Sequence, residues 1–516
     1  MNREDAKSAK EEEEGRGMSM QWFRQNLLKK GKGKQRKNYF LFLLTFSLIL
    51  LTFLMPAVAD TARHYTELKF PPLPEVQVPP YTRYQMDNGM IVYLMEDREL
   101  PLVSGTAMIR TGARLEPENE VGLATLVGEV LRTGGTAKHS SDELNQLLEQ
   151  RAASVESSIV STAGSADFTT LSEDLKDVFS LFAEVIQEPI FAQEKLDLAK
   201  TQQRGEIARR NDDPGGIASR EFEKLVYGNN SPYARTVEYA TLDNISREDL
   251  IGFYQKYFHP QNMILGIVGD FDSKAMRQMI QEKFGNWKPK GTAQTPPIPG
   301  AEQAKRGGVF LVNQPQLTQS NIVMGHLGGQ LNSPDFAALS VLNGVLNGFG
   351  GRLFNEVRSR QGLAYTVYGY WGAQYDYPGV FLAGGQTRSD ATVPFIKGVL
   401  SEIERIRTTS VTPAELSYAK ESELNSFVFK FQDPSQTLSR LMRYEYYGYP
   451  KDFIFRYQRE VEATTIEDIQ RVAEKYLQSN NIVTLVVGNA AAIQPPLTSL
   501  TPNVTTVDIT IPAGKG

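Results

Sequence analysis

Between Gly122 and Thr136 the chain reads GLATLVGEVLRTGGT. Leu123, Leu126, Val127, Val130 and Leu131 recur at i, i+3, i+4, i+7 and i+8, the stripe of a helix with one face in a core. The opposite face carries Thr125, Gly128, Glu129 and Arg132. A glycine inside a helix costs about 1 kcal/mol against alanine, so Gly128 needs a reason. Upstream, Gln85–Val103 predicts a strand, a hairpin turn at Asp87-Asn88-Gly89 and a second strand. A strand over Gly105–Arg110 follows, and helical stretches run from Ser141 through Arg210. Further on, Gly308–Gly325 is strand-like and Asp335–Leu346 is again an amphipathic helix.

The pattern occurs twice. Residues 246–269 read SREDLIGFYQKYFHPQNMILGIVG and residues 465–488 read TIEDIQRVAEKYLQSNNIVTLVVG. At a constant offset of 219, Glu248/Glu467, Asp249/Asp468, Lys256/Lys475, Tyr257/Tyr476, Asn262/Asn481, Val268/Val487 and Gly269/Gly488 are identical. In both copies a Ser or Thr cap opens an amphipathic helix, and a polar turn leads to an apolar strand ending at glycine. The duplication predicts an α+β fold: two homologous α/β sandwich domains, facing each other across a cleft. Residues 290–307, KGTAQTPPIPGAEQAKRG, are Pro- and Gly-rich without periodicity. They set the domains at 75–290 and 308–490, with a linker at 291–307 and a tail at 491–516. That tail is Pro/Thr-rich, and reads either as a flexible extension or as an added edge strand.

The first 60 residues are a separate object. Lys29, Lys30, Lys32, Lys34, Arg36 and Lys37 precede the apolar run Tyr39–Met55, then Pro56 and the small-x-small pattern Ala57-Val58-Ala59. Residues 1–59 therefore read as a signal peptide or an N-terminal anchor with possible membrane attachment. Either places the body outside the cytoplasm, in the periplasm or on the extracytoplasmic face of a membrane. Without this segment the chain carries 44 basic and 54 acidic residues, which argues against nucleic acid as a partner. Cysteine is absent, which excludes disulfides, thiolate nucleophiles and Cys-based metal sites. The four histidines, His64, His139, His259 and His326, are dispersed, so no helix carries a two-histidine site.

The run DNGMIVYLMEDRELPLVSGTAMIRTGARLEPENEVGLATL, the segment SPYARTVEYATLDNISREDLIGFYQKYFHPQNMILGIVGDFD and the stretch GGRLFNEVRSRQGLAYTVYGY resemble the pitrilysin/insulinase family of zinc peptidases. In order, these matches cover most of residues 80–490. In that family the opening helix carries His-x-x-Glu-His, two zinc ligands on one face with a general base between them. The resemblance puts Thr125 and Glu129 at the histidine positions and Gly128 at the base position. Only Glu206, 77 residues beyond Glu129, remains at the place of the third ligand. Thr125, Glu129 and Glu206 are hard donors suited to Ca²⁺ or Mg²⁺ rather than zinc. Glu129 otherwise pairs with Arg132 or faces solvent.

In the second half the resemblance assigns Arg358 and Tyr365, after Gly348-Phe349-Gly350-Gly351, to binding the substrate backbone and its oxyanion. By that resemblance this chain binds no metal and is inactive alone. It would be the substrate-positioning subunit of a two-subunit endopeptidase, with zinc on a homologous partner and extended peptides or unfolded proteins as substrates. The alternatives are a non-catalytic scaffold and a peptide-binding homodimer.

Overall fold

The structure is a computed structural model that describes residues 76–514. The leader or anchor expected at 1–59 and His64 lie outside the described residues. The first half runs β1 (Thr82–Gln85), β2 (Ile91–Glu96), β3 (Leu102–Ile109), α1 (Leu123–Thr133), α2 (Ser141–Glu149), β4 (Ser154–Ile159) and β5 (Gly164–Leu171). It continues with α3 (Leu175–Gln187), α4 (Gln193–Arg209), α5 (Pro214–Tyr227), α6 (Tyr239–Asn244), α7 (Arg247–Tyr257), β6 (Met263–Gly269) and α8 (Ser273–Phe284). The second half begins with β7 (Val309–Asn313), β8 (Gln319–Leu327), α9 (Phe336–Leu346), a π-helical turn (Phe354–Arg360), β9 (Ala364–Gly372) and β10 (Val380–Arg388). Then come α10 (Thr392–Thr408), α11 (Pro413–Phe427), α12 (Pro434–Tyr447), α13 (Phe453–Ala463), α14 (Ile466–Tyr476), β11 (Val483–Gly488) and β12 (Val504–Thr506).

The two sheets are copies of one another. Their strand orders are β1-β2-β6-β3-β5-β4 and β12-β7-β11-β8-β10-β9. β2 lies parallel to β6, and β7 parallel to β11. The α1 stripe is buried as its periodicity predicts, in the same core as the mutually packed Phe168, Phe179, Phe182 and Phe284. The helical reading of 141–210 is corrected, because β4 and β5 interrupt it. Val155, Ser157 and Ile159, like Ala166, Phe168 and Thr170, alternate inward at period two, which a search for helical stripes passes over. The third strand begins at Leu102 rather than Gly105, because Leu102 O already accepts from the Asp270 amide.

Each half lends a helix to the other. α5 lays Ile217, Ala218, Phe222 and Val226 on Val323, Leu485 and Val487 of the second sheet. α12 lays Leu438, Leu441 and Met442 on Tyr93, Met95, Ile264 and Val268 of the first. Gly266 in β6 leaves the room that the Met442 side chain fills. The exchanged helices match at an offset of 220: Asp213/Asp433, Pro214/Pro434, Ser219/Ser439, Arg220/Arg440, Tyr227/Tyr447 and Gly228/Gly448. In both, the aspartate side chain accepts from the first turn, proline starts the helix and a glycine of positive φ follows its end.

Residues 290–307 hold no helix or strand. They are nevertheless fastened along their length: Asn262 Nδ2 donates to Gln294 O, Tyr233 Oη to Pro299 O, and the Ala304 amide to Val226 O.

Candidate functional site

The start of α1 is built on a buried acid. Glu116 accepts from the Ala124 amide at 2.6 Å and the Gly122 amide at 3.2 Å, taking the place of a side-chain cap. Burial pushes its carboxyl up to about 7, against the two amide hydrogen bonds and the nearby Arg235. A turn later the helix meets β4. Ser157 Oγ donates to Gly128 O at 2.6 Å, and a β-carbon on Gly128 would fall within 2.9 Å of Ser158 Cα. Gly128 is buried, and a side chain there would require β4 to shift. Arg132 is buried as well, donating to Val155 O and Asn145 Oδ1, both at 2.8 Å. The expected Glu129–Arg132 pair does not form, because Arg132 points under β4. Of the polar face read from the sequence, only Thr125 and Glu129 remain partly open to solvent.

Glu129 and exposed Glu206 of α4 come together. Burial raises the Glu129 carboxyl above the usual range, and the charge of Glu206 adds to this. Two acids and a hydroxyl, without a histidine, make a poor zinc site. Among the described residues no group of three or more His, Asp or Glu side chains is arranged to hold a metal ion. The three described histidines are occupied elsewhere. His139 Nδ1 meets Glu184, His259 Nε2 meets Gln255 O, and His326 bridges Leu327 O and the Gln478 amide.

The second predicted pair is assembled. The Arg358 guanidinium sits 4.7 Å from the Tyr365 ring centroid and 4.6 Å from that of Phe354, a cation held between two aromatic faces. Tyr365 is 82% exposed at the start of β9, the outer strand of its sheet. Gly348 opens the preceding loop at φ +76°, and Phe349 packs on Phe354 at its tip. The turn is anchored from beneath. Buried Arg352 makes a two-point contact with Glu415 at 2.6 and 3.2 Å, and holds that carboxyl down at about 2 against its own desolvation.

Sequence reasoning missed what ties β9 to the first half. At the tip of the β9–β10 hairpin, Tyr377 stacks on Tyr233 of the first half at 4.0 Å, while Tyr375 stacks on Tyr447 of α12, the helix lent to the first sheet. Between them Asp376 Oδ2 accepts from Arg114 Nη2 at 2.8 Å, with both side chains almost wholly buried. Arg114 lies two residues before Glu116, so one short segment grips the hairpin and seats α1. The only sequence signal for this was the aromatic run YDYPG.

Among the described residues, duplicated sheets, a helix face packed on β4 at Gly128, and a half-buried Arg358 against exposed Tyr365 make up the candidate site. Residues 93–236 match the model described as insulinase (peptidase family M16), and residues 244–423 match that of the peptidase M16 inactive domain. The chain belongs to the M16 family. The uncharacterized zinc protease YmxG of Bacillus subtilis is 22% identical over 408 residues, 78% of this chain and 97% of its own. The non-peptidase homolog YmxG of Helicobacter pylori is 23% identical over 427 residues, 80% of this chain and 95% of its own. The peptidase M16 inactive domain of Pseudomonas fluorescens superposes with a TM-score of 0.73 at 25% identity, covering 81% of this chain and 100% of that one. The periplasmic protease PqqL of Escherichia coli shares the fold, with a TM-score of 0.66 at 13% identity over 80% of this chain and 47% of its own.

Proposed function

We propose that this chain is the substrate-positioning subunit of an exported, two-subunit zinc endopeptidase, whose zinc and water-activating carboxylate reside on a homologous partner chain. The observation that carries this reading is half-buried Arg358 held against exposed Tyr365 beside an open sheet edge, in a chain whose α1 packs Gly128 directly on β4. A guanidinium and a phenol are fixed donors, suited to the negative charge that develops on a carbonyl oxygen under attack. Edge strand β9 suits the recognition of extended peptides or unfolded proteins by strand addition. Export rests on the basic run and apolar segment before Asp60.

The test is reconstitution. This chain, co-purified with a homologue bearing His-x-x-Glu-His, is expected to cleave peptides, while this chain alone cleaves none. Arg358→Ala is expected to lower turnover of the mixture by about 10²–10³-fold, the scale of one lost oxyanion donor. Equal turnover with Arg358→Ala, or with this chain left out, removes it from the mechanism.

A further inference from the structure

After β11 the chain returns across the molecule by a route of its own. β12 adds in parallel to β7, with Val504, Thr505 and Thr506 opposite Val309, Phe310 and Leu311. The Val507 amide then donates to Leu311 O at 2.8 Å. Beyond β12 the segment alternates: Val507, Ile509 and Ile511 are partly buried, while Asp508, Thr510 and Pro512 are exposed. Val507 and Ile509 pack on the cluster where α5 meets the second sheet. Ile511 packs on the first-half core. Asn211 Nδ2 donates to Ile509 O at 2.7 Å, and Arg220 fixes that amide by donating to its Oδ1 at 2.8 Å. A β-carbon on Gly514 would lie 3.1 Å from Tyr239 Cβ in α6.

We infer that the groove across the junction of the halves is a binding site for an extended segment with β-branched residues at alternate positions. Its occupant is this chain's own 504–514, which clamps the two halves together. Backbone pairing to a sheet edge supplies affinity, and pockets for every second side chain supply selection. The matching edge of the first sheet is held differently. There β1 pairs with β2 over four residues through a local hairpin, whereas β12 arrives through a connection from 489 to 503 whose only regular element is a 3-10 turn at Leu497–Ser499, pinned to the second core by Ile493 and Leu497. The occupant is thus separable from its groove, held by tethering at high effective concentration. This site is separate from Arg358 and Tyr365 and does not depend on their role.

The test is native-state hydrogen exchange on a chain ended at Pro502. Amides of β7 and of α6 are expected to lose protection by about tenfold or more. A synthetic peptide of residues 503–514 is expected to restore both regions, and the same peptide with Ile509→Asp and Ile511→Asp to restore neither. Unchanged protection after truncation overturns the clamp, as does a peptide that protects β7 alone. Should the shortened chain not fold, full-length Ile511→Asp separates the two ends. The clamp requires α6 to lose protection while β7 keeps it, and full protection at α6 sinks it.

Discussion

Gly128 of α1 and Ile159 of β4 stand so close that a β-carbon on the glycine would come within 2.4 Å of the amide nitrogen of Ile159. This contact decides the sign of the simplest substitution at the site. Alanine inside a helix ordinarily gains about 1 kcal/mol over glycine. Here the backbone of β4 would have to retreat, an overpacking cost of about 1–3 kcal/mol. Gly128→Ala is therefore expected to lower the urea midpoint. A raised midpoint would show that β4 yields freely.

The same contact bears on rebuilding the metal motif. The triple variant Thr125→His, Gly128→Glu, Glu129→His supplies the right residue types, but its glutamate has no space unless β4 moves. Metal analysis of the purified variant should find far less than one zinc per chain. Stoichiometric zinc in a folded variant would refute the closure of this face.

Glu116 sets a pH dependence. Its carboxyl holds a proton to about pH 7 in the folded chain, against an ordinary value of 4.5. Its contribution to stability is full below about pH 4.5 and is lost as pH rises through about 7, on the order of 3 kcal/mol. Glu116→Gln keeps an acceptor for the Ala124 amide and cannot ionise. Unfolding free energies at pH 5 and pH 8 should differ less in the variant than in the parent. An equal difference in both would assign the dependence to other groups.

The Arg114–Asp376 pair is almost wholly buried, and among the described residues Arg114 Nε and Nη1 have no hydrogen-bond partner. Asp376→Ala leaves a guanidinium without its counter-charge and is expected to cost about 3–5 kcal/mol. Arg114→Met with Asp376→Leu removes both charges and should cost much less. A double variant as unstable as the single one would mean that packing, not charge, dominates.

Tyr365 offers two separable properties. Tyr365→Phe keeps the ring against Arg358 and deletes the hydroxyl, whereas Tyr365→Leu deletes both. In a reconstituted mixture the phenylalanine variant is expected to lower kcat by about 10²-fold with little change in KM. The leucine variant should raise KM as well. Full turnover with phenylalanine would leave the phenol without a donor role.

Much of the architecture was legible because it rests on local patterns. The stripe Leu123 to Leu131 and the repeated cap–helix–strand unit each declare themselves within a few turns. Arg358 and Tyr365 were legible only through resemblance, since two residues seven apart say nothing by themselves. What escaped were relations made by tertiary contact. Nothing local tells that Arg132 turns under Val155, or that Gly128 admits a strand rather than vacating a site. β4 and β5 were lost because SVESSI and GSADFTTL hold too few large apolar residues to announce a strand. The exchange of α5 and α12 carries a signature, Asp-Pro at one end and Tyr-Gly at the other, too short to find before the sheets are seen.

That exchange has a bearing on ancestry. A solitary repeat, cut from its twin, would present a greasy sheet to water on one side and a stray amphipathic rod on the other. A second copy of itself offers the mutual cover that both surfaces need. The fused chain therefore has the logic of an interlocked homodimer made permanent by joining two genes end to end.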